Sequence, residues 1–233
     1  MNYIGIDPSI TSTGLVINGK VFSYTYEEKA FTKKGDYTKW YKLSEHYVNY
    51  RFHDQARFDN YQEEQVIKLG LYKGVVNNII EDVKNNIDID QKTLVAIEGY
   101  SYGSSAGNLI DLVTFGTLLR DSLVNMGCIL EVVSPMSLKL ESCKLTYDPI
   151  VIEKGVRKKR IEYQFRNNEG IAGGNFTKYE MYKSIIENNV WEDDWKKHLE
   201  SLGDDINATI PKPHEDINDA YLLYQYIKKI NEI

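Results

Sequence analysis

The chain has 233 residues, of which 42% are hydrophobic and 12% aromatic, with 28 Lys+Arg against 34 Asp+Glu for a formal net charge of −6. This apolar content can offset the entropy of ordering, so a disordered chain is excluded, and no apolar run approaches the roughly 20 residues that span a bilayer. Two cysteines, Cys128 and Cys143, supply neither a zinc ligand set nor a disulfide framework. The N-terminus lacks a basic stretch leading into an apolar core, so the expectation is a cytoplasmic protein without a signal peptide. Its acidity weighs against a nucleic-acid partner when charge is only summed.

Asn2–Asp7 reads as a strand halted by Pro8, followed by a turn over Ser9–Gly14 and a second apolar run, Leu15–Ile17. Asn18-Gly19 is a strong hairpin signal because both residues tolerate positive φ. Val21–Tyr26 then alternates at strand period, so the opening predicts a three-stranded antiparallel meander. Residues 27–60 are polar, rich in aromatics and without a clean period, and read as an excursion or short helices covering an edge. From Tyr61 to about Asn85, Ile67, Leu71, Val75, Ile79 and Val83 recur every fourth residue and predict a long helix. Thr93–Ile97 is short and apolar, as in a strand buried on both faces, and ends at Glu98-Gly99. A helix over about 105–126 stops at Gly127, and Ile129–Val133 is a further strand closed by Ser134-Pro135.

Beyond this point the pattern loosens. Residues 139–166 hold eight Lys/Arg and four acids, a local charge of +4, with Arg157, Lys158, Lys159 and Arg160 the densest basic run. Gly170–Gly174 reads as a flexible joint, with helices predicted at about 177–189 and 216–231 and an acidic stretch over 187–205 between them. The outline is one α/β domain over 1–233, a mixed sheet flanked by helices, with excursions at 27–60 and 141–172.

Four acids stand where chemistry would put them. Asp7 and Glu98 each end a strand, and Asp216 and Asp219 lie one turn apart on the last helix. If the two strands are neighbours, both carboxylates project from one sheet edge and the helix start completes a cluster. Packed carboxylates repel unless cations neutralise them, and hard oxygen ligands suit Mg²⁺, with Mn²⁺ as a substitute. Two such ions about 3.5–4 Å apart would clamp the attacking and leaving oxygens of a phosphodiester. Taken singly, each acid also has an ordinary reading: a turn at Asp7-Pro8, or dipole-complementing residues at the helix start.

Ile4-Gly-Ile-Asp-Pro-Ser-Ile-Thr-Ser-Thr-Gly14 resembles the first motif of RuvC-type Holliday junction resolvases, in the ribonuclease H-like superfamily. Val95-Ala-Ile-Glu98 resembles their second motif, and Asp216-Ile-Asn-Asp219-Ala220 their closing D-x-x-D-A. Pro135–Lys139 and Gly173–Met181 are similar to a family P-x-x-x-K followed by G-x-G-x-x-K-x-x-M, with Asn175 at the second glycine. The resemblance implies a five-stranded mixed sheet, an antiparallel meander plus parallel strands, flanked by helices. It also implies a homodimer that cuts opposed strands of a four-way junction, or of forks and flaps, leaving 5′-phosphate and 3′-hydroxyl ends. Catalytic and metal roles fall on Asp7, Glu98, Asp216 and Asp219, with two Mg²⁺ ions. The insertions resemble bacteriophage branches of the family, which implies the cytoplasm of a prokaryote or of a phage-infected cell.

Candidate DNA contacts are Lys139 and Lys178, placed by the resemblance near the active face, and the run Arg157, Lys158, Lys159 and Arg160. Tyr100 and Tyr102, just past Glu98, are positioned to stack on an unpaired base, or else pack internally. The hydroxyls of Ser9–Thr13 could donate to a phosphate or to their own backbone, and His214 could assist a proton transfer or stand neutral at a helix start. Two other functions remain open. The first motif also resembles the phosphate loop of actin-like kinases, and an inactive DNA-binding relative would retain the same fold.

Overall fold

A computed structural model describes residues 1–26, 36–54, 58–100, 106–147, 151–153, 159–161, 176–203 and 210–232. Its centre is a six-stranded mixed sheet in the order β4-β3-β2-β1-β5-β6, made of β1 (Asn2–Asp7), β2 (Ser12–Ile17), β3 (Lys20–Tyr26), β4 (Val48–His53), β5 (Thr93–Glu98) and β6 (Ile129–Val133). The meander over β1–β3 is present and turns at Asn18 and Gly19, both at positive φ. β5 and β6 add in parallel beyond β1, which makes the expected five-stranded sheet.

Two corrections apply to the N-terminal half. β2 begins at Ser12, so the expected turn is shorter and Ser12-Thr13-Gly14 belong to the sheet. The 27–60 stretch contributes α1 (Asp36–Ser44) and then β4, a sixth strand parallel to β3. β4 is secured from α2 (Tyr61–Asn86). Arg51 donates through Nε and Nη2 to the two oxygens of Asp82 at 2.8 and 2.7 Å, and the Tyr24 hydroxyl donates to the same carboxylate at 2.8 Å. A bidentate pair with a buried carboxylate is among the stronger polar contacts a fold can make.

The helices cover both faces of the sheet. On one side α2 and α3 (Ala106–Asn125) pack on Ile4, Ile6, Leu15, Ile17, Val95 and Ile97. Asn60 caps α2 by accepting from the Glu63 amide at 2.9 Å, and Gly127 at φ +85° follows the end of α3. The opposite face holds α4 (Pro135–Thr146), α5 (Lys178–Ile186), α6 (Asp194–Leu202) and α7 (His214–Asn231), packed on Tyr3, Val16, Leu94 and Ala96.

Two of these helices correct the sequence reading. Ser134-Pro135 does close a strand, but it also opens α4: Ser134 accepts from the Ser137 amide at 3.1 Å, and the proline sits in the first turn. The acidic stretch over 187–205 contains α6, capped by Asp193 and buried through Trp195, Leu199 and Leu202. Residues 151–153 and 159–161 form a separate two-stranded antiparallel ladder, β7 and β8. The joint over Gly170–Gly174 lies outside the described residues. No helix among the described residues is long and apolar enough to cross a membrane.

Candidate active site

Parallel pairing of β1 and β5 puts Ile6 opposite Ile97, so Asp7 and Glu98 leave the sheet side by side at the same edge. α7 brings the other two acids. It lies directly on β1 and β2, and two glycines make that approach possible. A methyl group at Gly5 would overlap the Ala220 carbonyl oxygen and the Tyr224 amide, and one at Gly14 would overlap the Asp216 carbonyl oxygen. The glycines of the first motif are therefore the seat on which the acid-bearing helix rests, and the start of α7 comes down beside Asp7.

Asp7, Glu98 and Asp219 each offer one ligand oxygen, all within 4.8 Å of one another. Burial pushes the Asp7 carboxyl well above the usual range, and Glu98, Asp219 and Asp216 push it further. Asp219 is raised to about 7: burial lifts it, the Lys178 ammonium pulls it down, and Glu98 and Asp216 push it up again. Buried acids that repel one another hold negative charge poorly unless a cation is supplied.

The chain supplies two cations. Lys178, the first residue of α5, is set by a capping box in which Thr177 and Glu180 bond reciprocally, and its Nζ donates to Asp219 Oδ2. The nearer rim carries Glu215, 3.9 Å from the same ammonium. Lys212 donates to Asp216 Oδ1 at 2.8 Å. Burial works against the charge of both lysines, but the surrounding carboxylates outweigh it and raise both pKa values. Asp216 Oδ2 remains buried with no hydrogen-bond partner. Three converging carboxylate oxygens, with a fourth acid beside them that keeps one oxygen unpartnered, form a hard, oxygen-only donor set, which fits Mg²⁺ or Mn²⁺ and not a softer metal.

Of the expected site residues, the structure converges Asp7, Glu98 and Asp219, and sets Asp216 beside them on Lys212. Lys178, expected near the active face as a phosphate contact, lies at the rim of the cluster and is engaged with Asp219. Lys139 lies on α4, half-buried and without an ion-pair partner among the described residues. Arg157, Lys158 and Tyr102 lie outside the described residues, and for Lys159 and Arg160 only the backbone of β8 is described. Tyr100 packs on α3, with its ring against Gly116 and its hydroxyl donating to the Val113 carbonyl at 3.3 Å. The Ser9–Thr13 turn closes on itself, the Thr13 hydroxyl donating to the Ser9 carbonyl at 2.6 Å.

His214 is buried with Nε2 3.1 Å from His198 Nε2, and burial lowers the two to about 3 and about 4. It stands as a neutral pin between α6 and α7, not as a proton carrier.

Two functional candidates escaped the sequence reading. Lys212 was signalled only by its spacing of four from Asp216. Arg120 donates through Nη2 to the Glu98 carbonyl oxygen at 3.0 Å and lies 4.2 Å over the Tyr100 ring, bracing the end of β5 from α3. Only the fold brings Arg120 to Glu98.

No family model matches the chain, and no curated protein matches it. Among solved structures, seven chains match. One is Thermus thermophilus RuvC in complex with Holliday junction substrate, 11% identical with a TM-score of 0.47, covering 99% of this chain and 97% of that one. Another is a Thermus thermophilus RuvC structure, 12% identical with a TM-score of 0.45, covering 99% and 96%.

Proposed function

We propose that this chain is a divalent-cation-dependent endonuclease that cuts branched DNA, with the four-way junction as its principal substrate and forks and flaps as related ones. The observation that carries this reading is the convergence of Asp7, Glu98 and Asp219 at one sheet edge, with Asp216 beside them. In this reading Asp7, Glu98 and Asp219 hold the cation, and Asp216 shares in the cluster. A bound Mg²⁺ supplies an activated water and offsets charge on the phosphate.

The remaining work falls to the chain. Asp7, at the buried floor, and Glu98, braced by Arg120, fix the donor set between two rigid strands. Lys178 stands at the rim of the cluster, where its ammonium meets a non-bridging phosphate oxygen. In the net reaction the water oxygen bonds to phosphorus and the bond to the 3′ oxygen breaks. That oxygen takes a proton while the water loses one, leaving 5′-phosphate and 3′-hydroxyl ends. Lys139 and the run Arg157–Arg160 carry backbone phosphates further out, Tyr100 and Tyr102 flank the branch, and a homodimer presents two such centres to opposed strands.

A kinase of the actin-like kind requires a duplicated sheet unit, whereas the described residues contain one six-stranded sheet and one short two-stranded ladder. The test is Asp7→Asn. Cleavage of a four-way junction should fall by at least about a thousandfold, with junction binding retained, because Asp7 lies at the buried floor and the expected phosphate contacts lie outside it. Full cleavage by that variant would remove the acids from the chemistry.

A further inference from the structure

The four carboxylates are not equivalent. The three whose ligand oxygens converge are Asp7, Glu98 and Asp219. Asp216 belongs to the same cluster electrostatically, since its charge acts on both Asp7 and Asp219, but its Oδ1 is taken by Lys212 at 2.8 Å. Its carboxylate is 6% exposed while the Lys212 side chain is 45% exposed, so the lysine is anchored on a buried acid with part of its side chain at the surface. The other oxygen of Asp216 is buried and unpartnered, which leaves this acid with a single neutralising contact, supplied by the chain itself.

Lys178 does not play the same part. Its partner is Asp219, a member of the converging trio, so it shares an acid with whatever the trio binds. Lys212 claims the one acid outside the trio. Charge points the same way. With Glu215 on Lys178, five carboxylates against two ammonium groups leave three negative charges, which one divalent ion reduces to one and two would reverse. Glu215 is the acid at the more exposed rim.

We propose that the centre takes one divalent cation, held by Asp7, Glu98 and Asp219, and that Lys212 occupies Asp216 as a built-in second cation in place of a second ion. The proposal rests on the reading of these acids as a cation-dependent hydrolytic centre, and it changes the expected stoichiometry from two ions to one. Lys212 then presents its ammonium on the Asp216 side of the scissile phosphate, where a second ion would otherwise stabilise developing negative charge. A fixed ammonium is present at any Mg²⁺ concentration, so the centre is half-assembled before the ion arrives.

The test is Mn²⁺ binding to the full chain without DNA, counted by electron paramagnetic resonance of the free ion. Only sites lost in an Asp7→Asn, Glu98→Gln double variant are scored, which removes weak surface binding. Wild type should hold one such Mn²⁺, Lys212→Gln two, and Lys212→Arg one, since Arg restores the charge. In junction cleavage, Lys212→Gln should be about a hundredfold slower at low Mg²⁺ and recover at high Mg²⁺, with a steeper dependence on concentration.

Two specific ions on wild type, or one on Lys212→Gln with unchanged Mg²⁺ dependence, would overturn the built-in cation while leaving the hydrolytic centre intact. No specific ion on wild type would overturn both.

Discussion

Asp7 and Glu98 are the residues that a reader of the chain can find without a structure, because each puts a carboxylate at the end of a buried strand, where charge is costly unless it has a use. Their pairing needed only the parallel register of β1 and β5. Lys212 was hidden for the opposite reason: a lysine four residues from an aspartate is the commonest of surface pairs, and only burial of the Asp216 carboxylate distinguishes this one. Arg120 was hidden by sequence distance, 22 residues from the carbonyl it holds.

The raised acids give a pH signature with a definite sign. In the cation-free protein, Asp7 and Asp219 keep their protons to higher pH folded than unfolded. Their contribution to stability is therefore fully present below about pH 4 and is lost as pH rises, for Asp219 through about 7. Mg²⁺ displaces those protons, so the melting-temperature gain between EDTA and saturating Mg²⁺ should grow as pH rises from 5 to 7. The neutral His198–His214 pair acts in the opposite direction, destabilising as pH falls below about 6.5, but equally with and without Mg²⁺, so the difference isolates the acids. A pH-independent gain would place the ion elsewhere.

Among the elements, α7 matters most for the site, and its position depends on the absence of two side chains. Gly5→Ala or Gly14→Ala must push the helix off β1 or β2, at a cost of about 3 kcal/mol or more, because the obstacle is backbone and cannot rotate away. Urea unfolding should show that loss, with Mn²⁺ affinity falling alongside it. Unchanged stability would mean the helix seats elsewhere. The meander, α2, α3, β5, β6 and α7 were legible because their periods are clean or their apolar runs unbroken.

β4 was not, although Val48, Tyr50 and Phe52 alternate with Asn49, Arg51 and His53. The surrounding aromatics drowned a six-residue period, and the Arg51–Asp82 pair that secures the strand joins distant segments. α4 went unread because Ser134-Pro135 served equally as a strand stop and as a helix start. α6 was masked by the acidic residues that flank it, though Trp195, Leu199 and Leu202 mark one face.

Over the whole molecule, the net charge of −6 first weighed against a nucleic-acid partner. Located, it divides into a buried acid cluster already half neutralised by Lys178 and Lys212, an acidic α6 region, and a basic segment over 139–166. If that basic segment lies along DNA, Arg157→Ala with Lys158→Ala should weaken junction binding and reduce the slope of log affinity against log salt by up to about 2. An unchanged slope would return the segment to solvent.

The central claim, that this sheet edge hydrolyses phosphodiesters at a DNA branch, is tested most directly by incubating the protein and Mg²⁺ with a four-way junction, a fork, a flap and plain duplex, each end-labelled. The expected result is cleavage of the junction ahead of the other branched forms, duplex spared, with 5′-phosphate at the new ends. Intact substrates throughout, accompanied by Mg²⁺-dependent ATP hydrolysis, would contradict it.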